Sequence, residues 1–182
     1  MLLKVLAPAL LLTVAAGCGP VAGSGALLHG SPPATSASPG GWPTLKDQSF
    51  GFSLRYPPGW TQKFDQPAGF HALASRADMA SLLDLQGSDY WLVAQAMPRD
   101  PSAGCGEPAE GDAERSDTTL SGLPAKRFVI AGTRGDTTQH IFDVIAVRGE
   151  TCFSLQLVAG GSIPVDQALG TLKQIQDSYR LS

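Results

Sequence analysis

Residues 137–159 read TTQHIFDVIAVR, then Gly149-Glu150, then TCFSLQLVA. Both runs are long enough for strands and rich in β-branched and aromatic residues, and a glycine-bearing pair separates them, so they predict an antiparallel hairpin. In the second run an apolar set alternates with a smaller and more polar set, which predicts one face of the strand in a core. The first set is Phe153, Leu155 and Leu157, and the second is Cys152, Ser154 and Gln156.

Further strands are predicted on the N-terminal side of this hairpin. Residues 123–131 precede it across a glycine-bearing turn at 132–135, which extends the hairpin to an antiparallel meander. The continuous apolar run 90–97 predicts a central strand. Three shorter strands are predicted at 50–56, 60–64 and 70–75, with the second running back from the first after Pro57-Pro58-Gly59.

The C-terminal part predicts a helix that packs on this sheet. Pro164 suits the first turn of a helix, and apolar residues then recur at helical spacing: Val165, Ala168, Leu169, Leu172, Ile175 and Tyr179. A second, short helix is predicted from Asp78 to Gly87. Residues 98–118 predict a long polar loop.

The first 17 residues have the three parts of an export signal. Lys4 is the only charge in residues 1–45, residues 5–14 are apolar, and Ala15-Ala16-Gly17 offers small residues before a cleavage site. Ala15-Ala16-Gly17-Cys18 resembles a lipobox, so we expect cleavage before Cys18 and lipid on that cysteine, which would hold the protein to a membrane. The alternative is an ordinary secreted protein whose signal contains a cysteine.

Residues 18–41 predict a lipidated cysteine followed by a flexible linker. The stretch carries no Lys, Arg, Asp or Glu and few large apolar residues, so it cannot bury enough surface to order itself. Its mean reach as a coil is about 26 Å. The folded domain is predicted over 42–182, on the outer side of a cell membrane.

Cys105 and Cys152 remain once Cys18 carries lipid, and only one pairing is possible. Thiols outside the cytoplasm tend to oxidise, so we predict a disulfide between the two, with a reactive thiol as the alternative. No C-x-x-C pair accompanies either cysteine.

The net charge of −3 argues against nucleic acids and anionic membrane surfaces as partners. Scattered Lys and Arg in a mildly acidic chain predict no nucleic-acid binding and give no electrostatic reason to bind an anionic membrane face. The membrane contact expected from the sequence is therefore the lipid on Cys18.

Three elements in order resemble the PsbP-like family. They are the strand end Tyr56-Pro57-Pro58-Gly59-Trp60, the meander opened by residues 120–125, and the terminal helix closing on residues 175–181. The resemblance covers roughly residues 45–181. It implies an α/β fold of the α+β type, an α/β/α sandwich with an antiparallel sheet of about six or seven strands and helices on its faces.

The family resemblance leaves the function open. Photosynthetic members assist the oxygen-evolving photosystem, a eukaryotic relative binds a small nuclear GTPase, and bacterial members include many lipoproteins, with similar domains among mycobacterial envelope lipoproteins. The shared motifs are mostly structural, so fold analogy does not choose among these roles.

No catalytic or metal-binding motif stands out in the sequence. His71 and His140 are predicted to lie on strand surfaces, and no cofactor is expected. The acidic residues of the 98–118 loop lack the spacing of a calcium loop and predict a solvated segment; they are Glu107, Glu110, Asp112, Glu114 and Asp117. Among the aromatic residues, we single out Trp42, at the linker boundary, as the side chain to test for exposure.

Three functions follow as hypotheses. The first is a non-enzymatic binding or assembly module at the cell envelope, contacting a protein partner or small ligand through the open sheet face or the 98–118 loop. The second is a hydrolase or other enzyme whose site is assembled from distant residues. The third is a structural envelope protein with no discrete ligand.

Overall fold

Two β-sheets and one long helix make up the part of the chain that the computed structural model describes, which is residues 41–63, 67–134 and 137–182. In chain order the elements are β1 (Thr44–Asp47), β2 (Phe52–Arg55), β3 (Thr61–Lys63), β4 (Phe70–Ala74), β5 (Tyr90–Pro98), β6 (Glu114–Leu120), β7 (Leu123–Arg134), β8 (Thr137–Arg148), β9 (Thr151–Gly160), α1 (Val165–Ser178) and β10 (Arg180–Leu181).

The larger sheet has seven strands in the order β3-β4-β5-β9-β8-β7-β6, and every neighbouring pair is antiparallel. The predicted hairpin is confirmed as β8 and β9, which run side by side over ten residue pairs. Gly149 lies in the turn between them with φ of +61°, a conformation that glycine adopts without strain. The chain therefore has the predicted α+β architecture of an antiparallel sheet with a C-terminal helix.

The smaller sheet has three antiparallel strands in the order β1-β2-β10. Its inner face carries Leu45, Phe52 and Leu54, all of them buried. These side chains belong to the same core as α1 and the larger sheet. Residues close to the two ends of the described chain thus meet in one small sheet.

Most of the core lies on one face of the larger sheet, which we call the helix face. Here Phe142, Val144, Leu155 and Leu157 pack with the buried stripe of α1. That stripe comprises Ala168, Leu172 and Ile175. Val165, which the helical pattern placed in the stripe, is 39% exposed because it begins the helix.

The opposite face of the larger sheet, which we call the loop face, is covered at two places. Met79 and Leu85 pack on Trp91 and Val158. Cys105 packs on Phe128 and Ile145 near the other end. Two chain segments, 76–87 and 98–113, therefore cover parts of the sheet face that the first functional hypothesis treated as open to a partner.

Four local predictions were wrong. The strand at 61–63 pairs with β4 and not with β2. The helix predicted from Asp78 to Gly87 is a single 3-10 turn over Leu82–Asp84, because the backbone is extended at Ser81 before it and at Leu85 after it. The 98–118 loop ends earlier, since β6 begins at Glu114. Residues 132–134, predicted as part of a turn, belong to β7.

The predictions for residues 1–40 lie outside the described residues, including the export signal, the lipidated Cys18 and all of the linker except Gly41. Within the described ranges, no helix combines the length and the apolar character that crossing a bilayer requires.

Candidate functional site

Cys105 and Cys152 form the predicted disulfide, with 5.6 Å between their Cα atoms. Both residues are buried. Since Cys152 belongs to β9 and Cys105 to the 98–113 segment, the bond fixes that segment on the loop face. Both sulfurs are thereby used in the covalent bond, so neither is the reactive thiol of the alternative hypothesis.

Burial decides the exposure of Trp42. Trp42 is only 8% exposed and packs in the main core, so it presents no aromatic surface. Among the described residues, no group of three or more His, Cys, Asp or Glu side chains is arranged to hold a metal ion, and this includes the acidic residues of 98–118.

His71 is bonded to Asp47, a residue that the sequence analysis did not single out. His71 Nε2 lies 2.9 Å from Asp47 Oδ2, and Gln62 Nε2 lies 3.4 Å from His71 Nδ1. The same Asp47 accepts the backbone N–H groups of Phe50 and Gly69 at 2.8 Å each. Both ring nitrogens and both carboxylate oxygens therefore have partners within the fold.

The hydrogen bonds of Asp47 determine its ionisation. Burial alone would raise the pKa of the carboxyl, but the bonds from Phe50 N–H, His71 and Gly69 N–H outweigh it, so the pKa of Asp47 lies below its ordinary value. The resulting carboxylate links β1 to the turn before β2 and to β4. An Asp-His pair resembles a catalytic dyad, yet here it joins three chain segments.

Tyr179 lies beside this pair. Its ring stacks on Phe52 with 5.5 Å between centroids, and Phe52 in turn meets the His71 ring edge-on at 5.7 Å. Burial, followed by the charge of Asp47, raises the pKa of Tyr179, so its hydroxyl stays protonated. No described residue forms a hydrogen bond with that hydroxyl.

His140 and Asp143 lie three residues apart on β8 and face opposite sides of the sheet, as the strand spacing predicts. His140 meets Phe142 with 6.4 Å between ring centroids. Asp143 is buried on the loop face, where it accepts a bond from Ser154 Oγ at 2.8 Å. Burial raises the pKa of Asp143 more than the bonds from Ser154 and Gln156 lower it.

A solvent-accessible groove lies over the outer face of the small sheet. It encloses about 540 Å³ between that sheet and the C-terminal end of α1, and its lining includes Lys46, Ser53, Arg55, Asp177, Ser178 and Arg180. We call it the cationic groove. Its volume falls in the range typical of ligand sites.

Strand register explains why three cations share this groove. Ser53 pairs with Lys46 on one side and with Arg180 on the other, so the three side chains lie in a row across the sheet. Arg55 follows Ser53 by two residues and thus points to the same face. Leu45 and Leu54, at the intervening positions, are buried in the core.

Helix α1 positions one of these cations and supplies the rim. Arg180 Nη1 donates to the carbonyl oxygens of Asp177 and Tyr179 at 2.8 and 2.7 Å, which holds the guanidinium at the C-terminal end of the helix. Such a position suits a cation, because helix carbonyls carry partial negative charge there. Ser178 Oγ joins α1 to β2 by accepting the N–H of Arg55 at 2.8 Å.

The acidic group at the rim is already paired. Lys173 Nζ lies 2.6 Å from Asp177 Oδ2, one helical turn away. Among the described residues, no carboxylate lies within ion-pair distance of Lys46 or Arg180. The groove therefore has an excess of positive charge, although the chain as a whole has a net charge of −3.

Sequence reasoning missed the cationic groove because its residues are far apart in the chain. Lys46 and Arg180 are separated by 134 positions, and each belongs to a strand that the sequence did not predict. The Asp47–His71 pair was missed for the same reason, since the turn before β2 and the start of β4 bring it together. The one available signal was the alternation in residues 52–55, which places Ser53 and Arg55 on the polar face.

No protein-family model matches the sequence, and no curated protein matches it at a significant level.

Solved structures show a likeness in fold. A cyanobacterial PsbP protein, CyanoP of Synechocystis sp. PCC 6803, superposes with a TM-score of 0.54 at 10% identity, over 85% of this chain and 99% of that protein. A protein of Bacteroides thetaiotaomicron superposes with a TM-score of 0.51 at 12% identity, over 76% of this chain; the match spans about half of that protein, 48%. The Ran-binding protein Mog1p of Saccharomyces cerevisiae has a TM-score of 0.49 at 10% identity, over 77% and 95% of the two chains.

At these identities the likeness concerns architecture alone. The seven-stranded antiparallel sheet, the small sheet and the C-terminal helix match the cyanobacterial protein over nearly its whole length. The chain therefore has a PsbP-like fold.

Proposed function

We propose that this protein is an exported lipoprotein, anchored through Cys18 at the outer side of a cell membrane, whose PsbP-like domain is a non-enzymatic binding or assembly-accessory module. The cationic groove is its binding surface. The observation that carries the proposal is the contrast between this groove and the other polar clusters. Lys46 and Arg180 have no ion-pair partner among the described residues, whereas Asp47 and His71 have their polar atoms engaged within the fold.

The bonding of His71 weighs against the enzyme hypothesis. A general base needs a ring nitrogen within reach of the group it deprotonates. In this domain Asp47 and Gln62 contact the two nitrogens, and the bonds of Asp47 join β1 to the turn before β2 and to β4. The Asp-His pair thus serves the stability of the domain.

The location rests on the N-terminal signal and is supported by the disulfide. Disulfides persist in oxidising compartments and are rare in the cytosol, and the Cys105–Cys152 bond is compatible with an extracytoplasmic domain. The uncharged stretch before Trp42 would act as a tether between lipid and domain.

Metabolic labelling tests the anchor. Cells producing the full chain would be grown with alkyne-tagged palmitate and then fractionated, beside cells producing Cys18→Ala. We expect label in the wild type only, and we expect the wild type to stay in the membrane fraction after washing with 1 M salt. Equal labelling of both chains, or no label in either, would contradict the proposal.

A further inference from the structure

We propose that the cationic groove binds the anionic phospholipid headgroups of the membrane that holds the Cys18 anchor, so that the small sheet faces the bilayer. This inference rests on the proposed anchoring and adds an orientation to it. The groove then acts as a second membrane contact, separate from the lipid.

The composition of the groove matches a headgroup. Three cationic side chains, those of Lys46, Arg55 and Arg180, line it, and Leu54 is its one apolar lining residue. Leu54 is itself 1% exposed, so the groove offers almost no surface to an acyl chain. The hydroxyl of Ser53, the ammonium group of Lys46 and the guanidinium of Arg180 are donors that phosphate oxygens accept from, whereas Ser178 Oγ already donates to the carbonyl oxygen of Ile175.

The predicted linker enters the domain at the small sheet. Gly41 ends the predicted linker, β1 begins three residues later, and Lys46 is the third residue of that strand. The tether therefore enters the domain at the terminal strand of the same small sheet. The mean reach of about 26 Å predicted for this linker would allow that sheet to touch the bilayer.

The charge on the loop face favours the same orientation of the domain. Residues 98–113 contain four acidic residues against one arginine, and the Cys105–Cys152 bond holds this segment on the loop face. The cationic groove lies beyond the opposite, helix face. An anionic bilayer would attract the groove and repel the acidic segment, so the domain would dock with the loop face turned away from the membrane.

The expected strength is enough to orient a tethered domain. A Lys or Arg near an anionic membrane surface strengthens binding about fivefold, so Lys46 and Arg180 together give about 25-fold. An acidic polypeptide is the competing occupant, which the test below separates from lipid.

The test uses the full chain, purified in detergent from membranes and reconstituted into two kinds of vesicle. One kind is phosphatidylcholine alone, and the other contains 30% phosphatidylglycerol. Hydrogen–deuterium exchange of peptides covering residues 44–55 and 178–182 is measured in both. We expect exchange at least fivefold slower in the anionic vesicles at low salt, with the protection lost at 1 M NaCl because the Debye length falls to about 3 Å.

Two charge reversals provide a matched comparison. Lys46→Glu removes a groove cation with no described hydrogen bond, so the fold is expected to survive. Lys126→Glu makes the same change in net charge on the loop face, at a lysine that is 55% exposed. We expect Lys46→Glu to abolish the protection in anionic vesicles and Lys126→Glu to leave it unchanged.

The outcomes separate the two proposals. A chain that does not float with phosphatidylcholine vesicles contradicts the anchoring and takes the groove proposal with it. A chain that floats with both vesicle types but exchanges equally in both overturns the groove proposal alone. Protection of the same peptides in phosphatidylcholine vesicles by 10 mM inorganic phosphate, or by poly-glutamate, would also overturn it, because the groove would then be a general anion site or a protein-docking site.

Discussion

Asp47 Oδ2 and His71 Nε2 lie 2.9 Å apart, and through this contact the first strand of the small sheet is joined to β4 of the larger sheet. The Asp47 side chain is 4% exposed. Because its carboxylate also accepts two backbone N–H groups, the pair connects two sheets that share one core. The small sheet, and with it the cationic groove, depends on this connection.

Asp47→Asn is expected to lower the free energy of unfolding by about 2 kcal/mol at pH 7, since hydrogen bonds to a charged group contribute about 1.5–3 kcal/mol. The pKa of Asp47 is lowered in the folded state, so its carboxylate stabilises the fold above the ordinary value of 3.8. That contribution is lost as the pH falls through the folded-state pKa. Urea denaturation at pH 7 and at pH 3 should show the difference between variant and wild type shrinking at the lower pH.

Asp177→Asn is the control for this substitution, because Asp177 is exposed and its ion pair with Lys173 is worth little. Its effect should stay within about 0.5 kcal/mol. A difference between wild type and Asp47→Asn that is the same at pH 3 as at pH 7 would show that the charge of Asp47 does not contribute as described.

Removing the Cys105–Cys152 bond is expected to destabilise the domain by up to about 4 kcal/mol, the chain-entropy value for a loop of this length. The double variant Cys105→Ser/Cys152→Ser should also release residues 98–113 from the loop face. Thermal denaturation with and without reductant measures the first effect, and hydrogen exchange of that segment measures the second. A wild-type chain whose melting temperature is unchanged by reductant would contradict the structural role of the bond.

Asp143→Asn is expected to stabilise the domain by about 1 kcal/mol at pH 7, because it removes a buried charge while keeping an oxygen for Ser154. The pKa of Asp143 is raised, so the folded state prefers the protonated carboxyl, and stability declines as the pH rises through that pKa. The gain from Asp143→Asn should therefore vanish at pH 3. Ser154→Ala, which leaves the carboxylate without this donor, should instead destabilise the domain by about 1 kcal/mol. If Asp143→Asn lowered the stability of the domain at pH 7, this account of Asp143 would be refuted.

Substitution by alanine is expected to have opposite effects on stability at Gly160 and at Gly170. A Cβ on Gly160 would overlap the carbonyl oxygen of Gln86 and lie 2.6 Å from that of Gly87, so Gly160→Ala must displace the 76–87 segment. A Cβ on Gly170, inside α1, would meet nothing within 4 Å. We expect Gly160→Ala to cost about 2 kcal/mol or more and Gly170→Ala to add about 0.5–1 kcal/mol. Chemical denaturation of the two variants checks both, and equal effects would contradict the packing described.

Much of the larger sheet could be predicted because its strands are long and apolar. The runs that became β5, β8 and β9 supply many of the buried side chains of the core, so their patterns are clear. Strand β6 could not be recognised, since Leu120 is its one buried residue and the rest of the strand is polar. Strands β1 and β10 have four and two residues, too few for a periodic signal.

The disulfide could be predicted from the sequence, whereas the cationic groove could not. Cys105 and Cys152 were predicted to pair because lipid on Cys18 would leave two cysteines, which allow one connectivity. The groove combines side chains from three strands, and net charge carries no information about where charges meet in space. Its cations became visible only when the strand register placed Lys46, Ser53 and Arg180 in one row.

The mass of the N-terminal peptide of the mature protein tests the central claim most directly. The full chain would be produced in cells that process lipoproteins, extracted from their membranes in detergent, digested and analysed by mass spectrometry. We predict a peptide that begins at Cys18 and is heavier than its amino acids by the mass of a fatty-acylated lipid. A chain that begins at another residue, or a peptide containing Cys18 at its unmodified mass, would contradict the account.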